Sequence, residues 1–368
     1  MTVTASTAAP PRAQPPAPRR RPGSWRLAET VELAASAGSS LALTWLIFER
    51  LMPFRVQGVG FLAAWFALFL AVYWFVTRDA NGPVVAKDRI MTVVITTGAC
   101  LALAPIFLVI GYVVYRGLGS LRPTFFFETM QFTGPLQPAT DGGGMHSILG
   151  TLQQLGIATL LSVPLGILTA IYLNEVKGRI AGPARLVASA MTALPSVVAG
   201  LFVYSILIVR LRWGFSGFAG SLALAILMLP TVTIAAEQVL RIVPGSLREA
   251  AYALGGPEWR AVSLVVLPTA KAGLITAVIL GMARVIGETA PMMLTTVGTK
   301  IINANPFSGI QDDLPLFIFH QIRSPQDSSV NRAWAGSLVL LLLVLLLFLL
   351  ARMGSGSGPR MRRKKEDR

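Results

Sequence analysis

A chain of 368 residues that is 54% hydrophobic and only 13% charged has about half the charge of an ordinary soluble domain, too little to cover its surface in water. Its apolar residues come in long runs, so a bilayer is the expected solvent and an all-α, polytopic membrane protein the expected fold class. The formal net charge of +15 does not point to nucleic acid, because the basic residues sit in both tails and in short loops between apolar runs, the distribution a cytoplasmic membrane surface selects.

Residues 1–28 read as a disordered basic cytoplasmic tail rich in Pro, Ala and Arg, with Arg19, Arg20 and Arg21 near the membrane. No apolar core of a cleavable signal stands there, so the first transmembrane helix is expected to act as an uncleaved signal. Apolar runs follow at approximately 29–48, 61–77, 91–115, 147–173, 184–209, 217–240, 270–298 and 333–351. Each can cross a hydrocarbon core, which takes about 20 helical residues, so eight spans are predicted. The first two, within 29–90, look like an appended pair; residues 91–352 carry the motifs, and 353–368 form a second basic cytoplasmic tail. With both ends inside, 21 Lys and Arg residues fall on the inner side and 9 on the outer, as the positive-inside rule requires.

Cys100, the single cysteine, excludes an intrachain disulfide and reads as a small packing residue within its apolar run. The segment 116–146 is predicted as a long outer loop with Phe125, Phe126 and Phe127 and a hinge at Gly142-Gly143-Gly144; 299–332 is predicted as another, with Pro306, Pro315 and Pro325. His146 and His320, the only histidines, then read as solvated loop residues. Pro164, Pro195 and Pro230 interrupt apolar runs. Pro164 reads as a simple kink, and Leu194-Pro195-Ser196 is a candidate for lining a path. Glu237, near an inner helix end, reads as interfacial and snorkelling.

The inner segment 246–268 is too polar to cross a membrane yet patterned as helix. Ser246 and Glu249 stand at capping-box spacing, Ala250 and Ala251 make a small-residue patch, and Gly255 suits the left-handed position that ends a helix. Trp259 and Arg260 open a second piece, and Leu267-Pro268 leads back to the membrane. The residues alone fit equally a docking helix for a partner and an amphipathic helix lying on lipid.

In the seventh run, Arg284 and Glu288 are four apart and should share one helix face, while Pro291 frees the carbonyl of Gly287. Charges at mid-membrane cost at least a few kcal/mol, so they should face protein or water. A pair that merely ties helices together is one reading; a solute path is the other, with Arg284 as the anion-binding fork and Glu288 holding it in place. No GxxxxGK[ST] loop, no paired Cys or His cluster and no Ser/His/Asp set within the apolar core is present, so the chain is not expected to be an enzyme.

Glu249-Ala250-Ala251, then Gly255, Val265 and Leu267-Pro268, closely resembles in spacing the EAA loop of ABC-importer permeases, with Val265 in place of the usual isoleucine. Leu194 to Tyr204 (LPSVVAGLFVY), Ser246 to Gly255 (SLREAAYALG) and Ala283 to Pro291 (ARVIGETAP) resemble the PstA-type permeases of phosphate ABC importers, over about 90–352. The resemblance implies a MetI-like core of six helices, with Glu249, Ala250, Ala251, Gly255 and Pro268 coupling to a separate ATPase and Arg284, Glu288 and Thr289 in the substrate path. It implies a second, PstC-like permease, a PstB-like ATPase dimer that binds the ATP and Mg, a PstS-like extracytoplasmic phosphate-binding protein, membrane lipid around the chain, and no cofactor in the chain itself. A permease for another oxyanion, a proton-coupled secondary transporter and a non-transporting membrane scaffold remain the alternatives.

Overall fold

The computed structural model describes residues 27–51 and 58–354; the expected tails, apart from their innermost residues, lie outside them. Regular structure among the described residues is helical, with two isolated bridges, Ser216–Gly309 and Val297–Gln311, as the only extended pairing. Among the described residues, seven helices are long and apolar enough to cross a bilayer, or up to eight if one bent pair counts as a span. Many of their large apolar side chains face outward, Leu101 and Phe107 at 68% and 70% exposed for example, a lateral surface that water would not tolerate and lipid covers. The chain is thus a multi-pass membrane protein.

The chain divides into two compact units, 1–107 and 108–368. In the first, α1 (Leu27–Leu46) packs on α2 (Gly58–Asn81). The Trp65 indole N–H donates to the Ala37 carbonyl at 3.2 Å. Arg89, early in α3 (Pro83–Ser120), donates to Glu32 at 2.8 Å and to Glu29 at 3.0 Å. The expected inner loop 78–90 is helical on both sides of one residue, Gly82, whose φ of +86° lets the chain turn without a loop. Cys100 is exposed on α3 rather than packed, because its face of the helix meets no neighbour in this unit.

The second unit is built around α7 (Gly217–Ile242), the most buried of the spans. Small residues along it, Ala219, Ala223 and Ala236, are fully buried and let α4 (Met145–Ile171) and α10 (Leu267–Val285) approach closely, the way helices pack where no hydrophobic force drives them together. Two clusters fill the seams: Leu155, Leu224, Leu227 and Met228 with Val285 and Met292, and farther along Leu240, Val266 and Leu274.

The expected fifth span is bent. α5 (Ala181–Thr192) and α6 (Ser196–Val203, running on as a π-turn to Arg210) meet at 104°. Pro195, with ψ 136°, lacks the N–H that would continue α5, and it drives the residue before it out of helical backbone. The expected seventh span starts earlier and ends sooner than its apolar run. Helix runs unbroken from Glu258 to Val285, through α9 (Glu258–Ala261), a π-turn at Val262–Val266 and α10. The π-turn absorbs Pro268, whose ring would collide with the carbonyl four residues back. Past Val285 the chain turns, then re-forms α11 (Ala290–Thr295).

Both long loops are more ordered than their sequence suggested. Gly142-Gly143-Gly144 is no hinge: the Gly143 and Gly144 amides donate to the Thr129 and Phe125 carbonyls, packing the segment on a 3₁₀ turn at Pro123–Phe126. The 299–332 loop contains α12 (Leu314–Ile322), and α13 (Asp327–Gly354) begins before the loop was expected to end. His146 is not solvated but buried in the first turn of α4, while His320, at the end of α12, is exposed.

Candidate functional site: a docking helix and a polar turn

The polar inner segment forms α8 (Gly245–Ala253). Ser246 does not cap it; the cap position is Pro244, which has no side-chain donor or acceptor to offer. Gly255 ends it as expected, at φ +76°, its N–H donating to the Tyr252 carbonyl at 2.9 Å. Glu249 and Ala250 are exposed and Ala251 half-buried. Around them Tyr252, Leu254 and Trp259 also stand exposed, and the Arg260 guanidinium lies 5.2 Å from the Trp259 ring centre. Low alanines flanked by exposed apolar groups make a surface that a partner can approach closely. Pro268 is exposed just beyond the π-turn.

What fixes α8 to the membrane helices is a residue that the sequence did not single out. Arg248 donates to Glu175 twice, at 2.9 and 2.8 Å, and to the carbonyls of Val243 at 2.8 Å and Leu240 at 2.9 Å. Leu240 belongs to the last turn of α7 and Val243 caps it, where carbonyls lack helical partners and carry the negative end of the macrodipole. Glu175 sits in the π-turn that ends α4 and its side chain is only 4% exposed. One guanidinium therefore ties α8 to the inner ends of both α4 and α7. Beside it, Glu237 does not snorkel. It is buried, and one of its oxygens accepts from Arg185 and from Arg241, both at 2.6 Å, because a carboxylate buried among helices needs cations at hand.

The second region is the turn after α10. Arg284 is exposed; it donates to Thr231 Oγ1 of α7 at 3.0 Å and to the Thr192 carbonyl, the last of α5, at 3.3 Å. It thus braces the 104° corner against α7 next to Pro230. Glu288 does not share its helix face, since α10 stops at Val285 and Glu288 lies in the turn, its backbone N–H bonded to the Val285 carbonyl. Gly287 and the downstream Pro291, which cannot donate to the carbonyl of Gly287, end the helix. Glu288 lines a small chamber with Gln154 and Asp313. Thr289, at the start of α11, faces a larger and mostly apolar cavity of about 490 Å³ with Gly287, Ile286 and Pro315. Glu288 and Thr289 thus line neighbouring cavities that share Ile286 and Pro315, while Arg284 is exposed and lines neither.

Next to Glu288 is a buried polar cluster, also unforeseen. Asp312 accepts from the Ser147 hydroxyl at 2.5 Å and lies 3.5 Å from His146 Nε2. Asp313 caps α12 by accepting the Leu316 N–H at 2.9 Å. Burial pushes both carboxyls up, Asp313 to about 7 and Asp312 well above its ordinary range. The loop reaches α4 because Gly150 has no side chain: a Cβ there would stand 1.8 Å from the Asp312 carbonyl oxygen.

Residues 162–363 match the profile of a family described as binding-protein-dependent transport system inner membrane component. The phosphate transport system permease protein PstA 1 of Mycobacterium tuberculosis H37Rv is 38% identical over 256 residues, 69% of this chain and 83% of that one. PstA of Yersinia pestis is 39% identical over 230 residues, 62% and 76% of the two chains. A solved inward-facing MetNI methionine ABC transporter covers 57% of this chain and 91% of its own, at 16% identity and a TM-score of 0.47.

Proposed function

The chain belongs to the family of binding-protein-dependent transport inner-membrane components, and from that premise we propose that it is the permease half of an ATP-driven phosphate importer. The observation that carries the coupling part of this reading is the Arg248 tether. A helix whose outer face is free and whose base is clamped to two spanning helices is built to receive a push and pass it on. In this reading a separate ATPase dimer binds ATP and Mg, seats α8 through Glu249, Ala250, Ala251 and Gly255, and moves it on closure. Arg248 carries the displacement to the ends of α4 and α7. Leu240 and Thr231 are nine residues apart on α7, about 14 Å along the axis, so the same helix joins the tether to Arg284.

Phosphate as the solute is supported by the names of the relatives and by the chemistry of Arg284. Two of its five N–H donors are engaged within the chain, which leaves donors on an exposed, permanently charged fork that suits an oxyanion. Glu288 and Thr289 flank the path. A second, PstC-like permease completes it, a PstS-like binding protein delivers the anion, and both termini lie on the ATPase side.

Reconstitution in liposomes with the second permease, the ATPase and the binding protein tests this. Uptake of labelled phosphate that requires ATP and is not competed by sulfate or molybdate is the expected result. Uptake that persists without ATP, or that prefers another anion, overturns it.

A further inference from the structure

The chamber behind Glu288 has a hydrogen-bonding defect of one sign. Its volume is about 10 Å³, and Thr151, Gln154, Glu288 and Asp313 border it, so it has room for about one water. Thr151 is fully used: its hydroxyl donates to the Ser147 carbonyl and accepts the Leu314 N–H, both at 2.8 Å. Asp313 Oδ1 takes the Leu316 N–H, while Oδ2 has no partner. Gln154, 1% exposed, donates through Nε2 to Gln311 Oε1 at 2.9 Å, and its own Oε1 has no partner.

The orientation of that amide is fixed by its neighbours. Gln311 must turn its NH₂ toward the Asn303 carbonyl, 2.9 Å away, which can only accept. Its oxygen therefore faces Gln154, and Gln154 must present its NH₂ there. Two unpartnered acceptors, Gln154 Oε1 and Asp313 Oδ2, thus belong to residues bordering the chamber, with no free side-chain donor among Thr151, Gln154 and Asp313. Unpaired buried acceptors are costly, and one hydrogen removes the conflict.

We propose that the chamber is a proton-binding site: one proton from water binds Asp313 Oδ2, and the resulting O–H supplies the hydrogen that Gln154 Oε1 lacks, directly or through a single chamber water. With it released to water, Asp313 is a buried carboxylate and both unpartnered acceptors lack a hydrogen. The other titratable groups around it are Asp312 from the same loop, His146 from α4, and His320 at the end of α12, which a Cβ on Gly298 would touch together with Asp312. Among the described residues no Lys or Arg pairs with Asp312 or Asp313, and no cluster of three His, Cys, Asp or Glu could hold a metal ion. The raised position of the Asp313 carboxyl agrees with the geometry. The site stands whatever solute the protein carries.

Infrared difference spectroscopy of the full chain in lipid, titrated between about pH 5 and 8, reads the carbonyl band of a protonated carboxylic acid directly. The expected result is a band that disappears as pH rises through about 7. It should vanish in Asp313→Asn, whose amide can still donate to Gln154 and keep the fold, and remain in Asp312→Asn. A wild-type chain with no such titrating band, or a band that survives in Asp313→Asn, overturns the proposal. A midpoint that moves with sodium concentration at constant ionic strength also overturns it, assigning the chamber to a metal cation.

Discussion

Arg248 and Glu175 meet side by side, Nε to Oε2 at 2.9 Å and Nη2 to Oε1 at 2.8 Å, so the planar guanidinium matches the carboxylate while its remaining reach caps α7. A lysine has neither the fork nor enough donors in that geometry. Arg248→Lys is expected to leave the chain folded but to lower ATP-driven uptake several-fold while ATPase turnover continues, measured in the same liposomes. Arg248→Ala leaves Glu175 buried without a cation and should cost about 3–5 kcal/mol of stability. Unchanged uptake in Arg248→Lys would sink the tether as a transmission element.

The exposed face of α8 makes a separable prediction. Ala250 is exposed, so Ala250→Trp should change thermal stability by no more than about 0.5 kcal/mol yet block co-purification of the ATPase. Full retention of the ATPase by this variant would mean that another surface does the docking.

Arg284 separates binding from coupling. Arg284→Ala removes a charge-assisted contact worth about 1.5–3 kcal/mol and should lower phosphate uptake at least about tenfold, with ATPase binding intact. Normal uptake would remove Arg284 from the path and leave it as the brace of the α5–α6 corner.

The Asp312–Asp313 pair sets the sign of a pH effect on stability. Asp313 sits at about 7 in the folded chain against an ordinary 3.8. Between these values the folded chain holds a proton that the unfolded chain has released, so stability falls as pH rises through the window and levels off for this residue above about 7. Asp312, also raised by burial and by Asp313, adds to the fall. Thermal unfolding in lipid or detergent should show a lower Tm at pH 8 than at pH 5, with a shallower slope in Asp313→Asn. A slope in Asp313→Asn that matches that of the unaltered chain contradicts the raised position of Asp313.

The apolar runs were legible because lipid leaves no choice about what faces it, and α8 because Gly255 and the small residues before it have local reasons. What failed to show was set at long range. Pro195 breaks a helix to 104°, whereas Pro164 and Pro230 stay inside α4 and α7; neighbouring helices decide which proline is tolerated. Arg284 and Glu288 looked like one helix face because spacing cannot report that the helix ends between them. The partners Ser147 and Asp312 are 165 residues apart, and Gln154 and Gln311 are 157 apart. No local pattern connects such groups. Arg248 was within reach, since it stands beside Glu249 in the quoted motif, but its partner Glu175 carried no signal beyond its place at the end of a run.

The π-turn at Val262–Val266 acts as a phase setting. A helix advances about 100° per residue, so one residue removed from that turn swings everything downstream, Arg284 included, by roughly a quarter of a circle relative to α8. Every side chain of the exposed α8 face and of the polar turn would survive such a deletion, and their mutual aim would not. The angular offset between α8 and the Arg284 cation is thus stored in a single surplus residue.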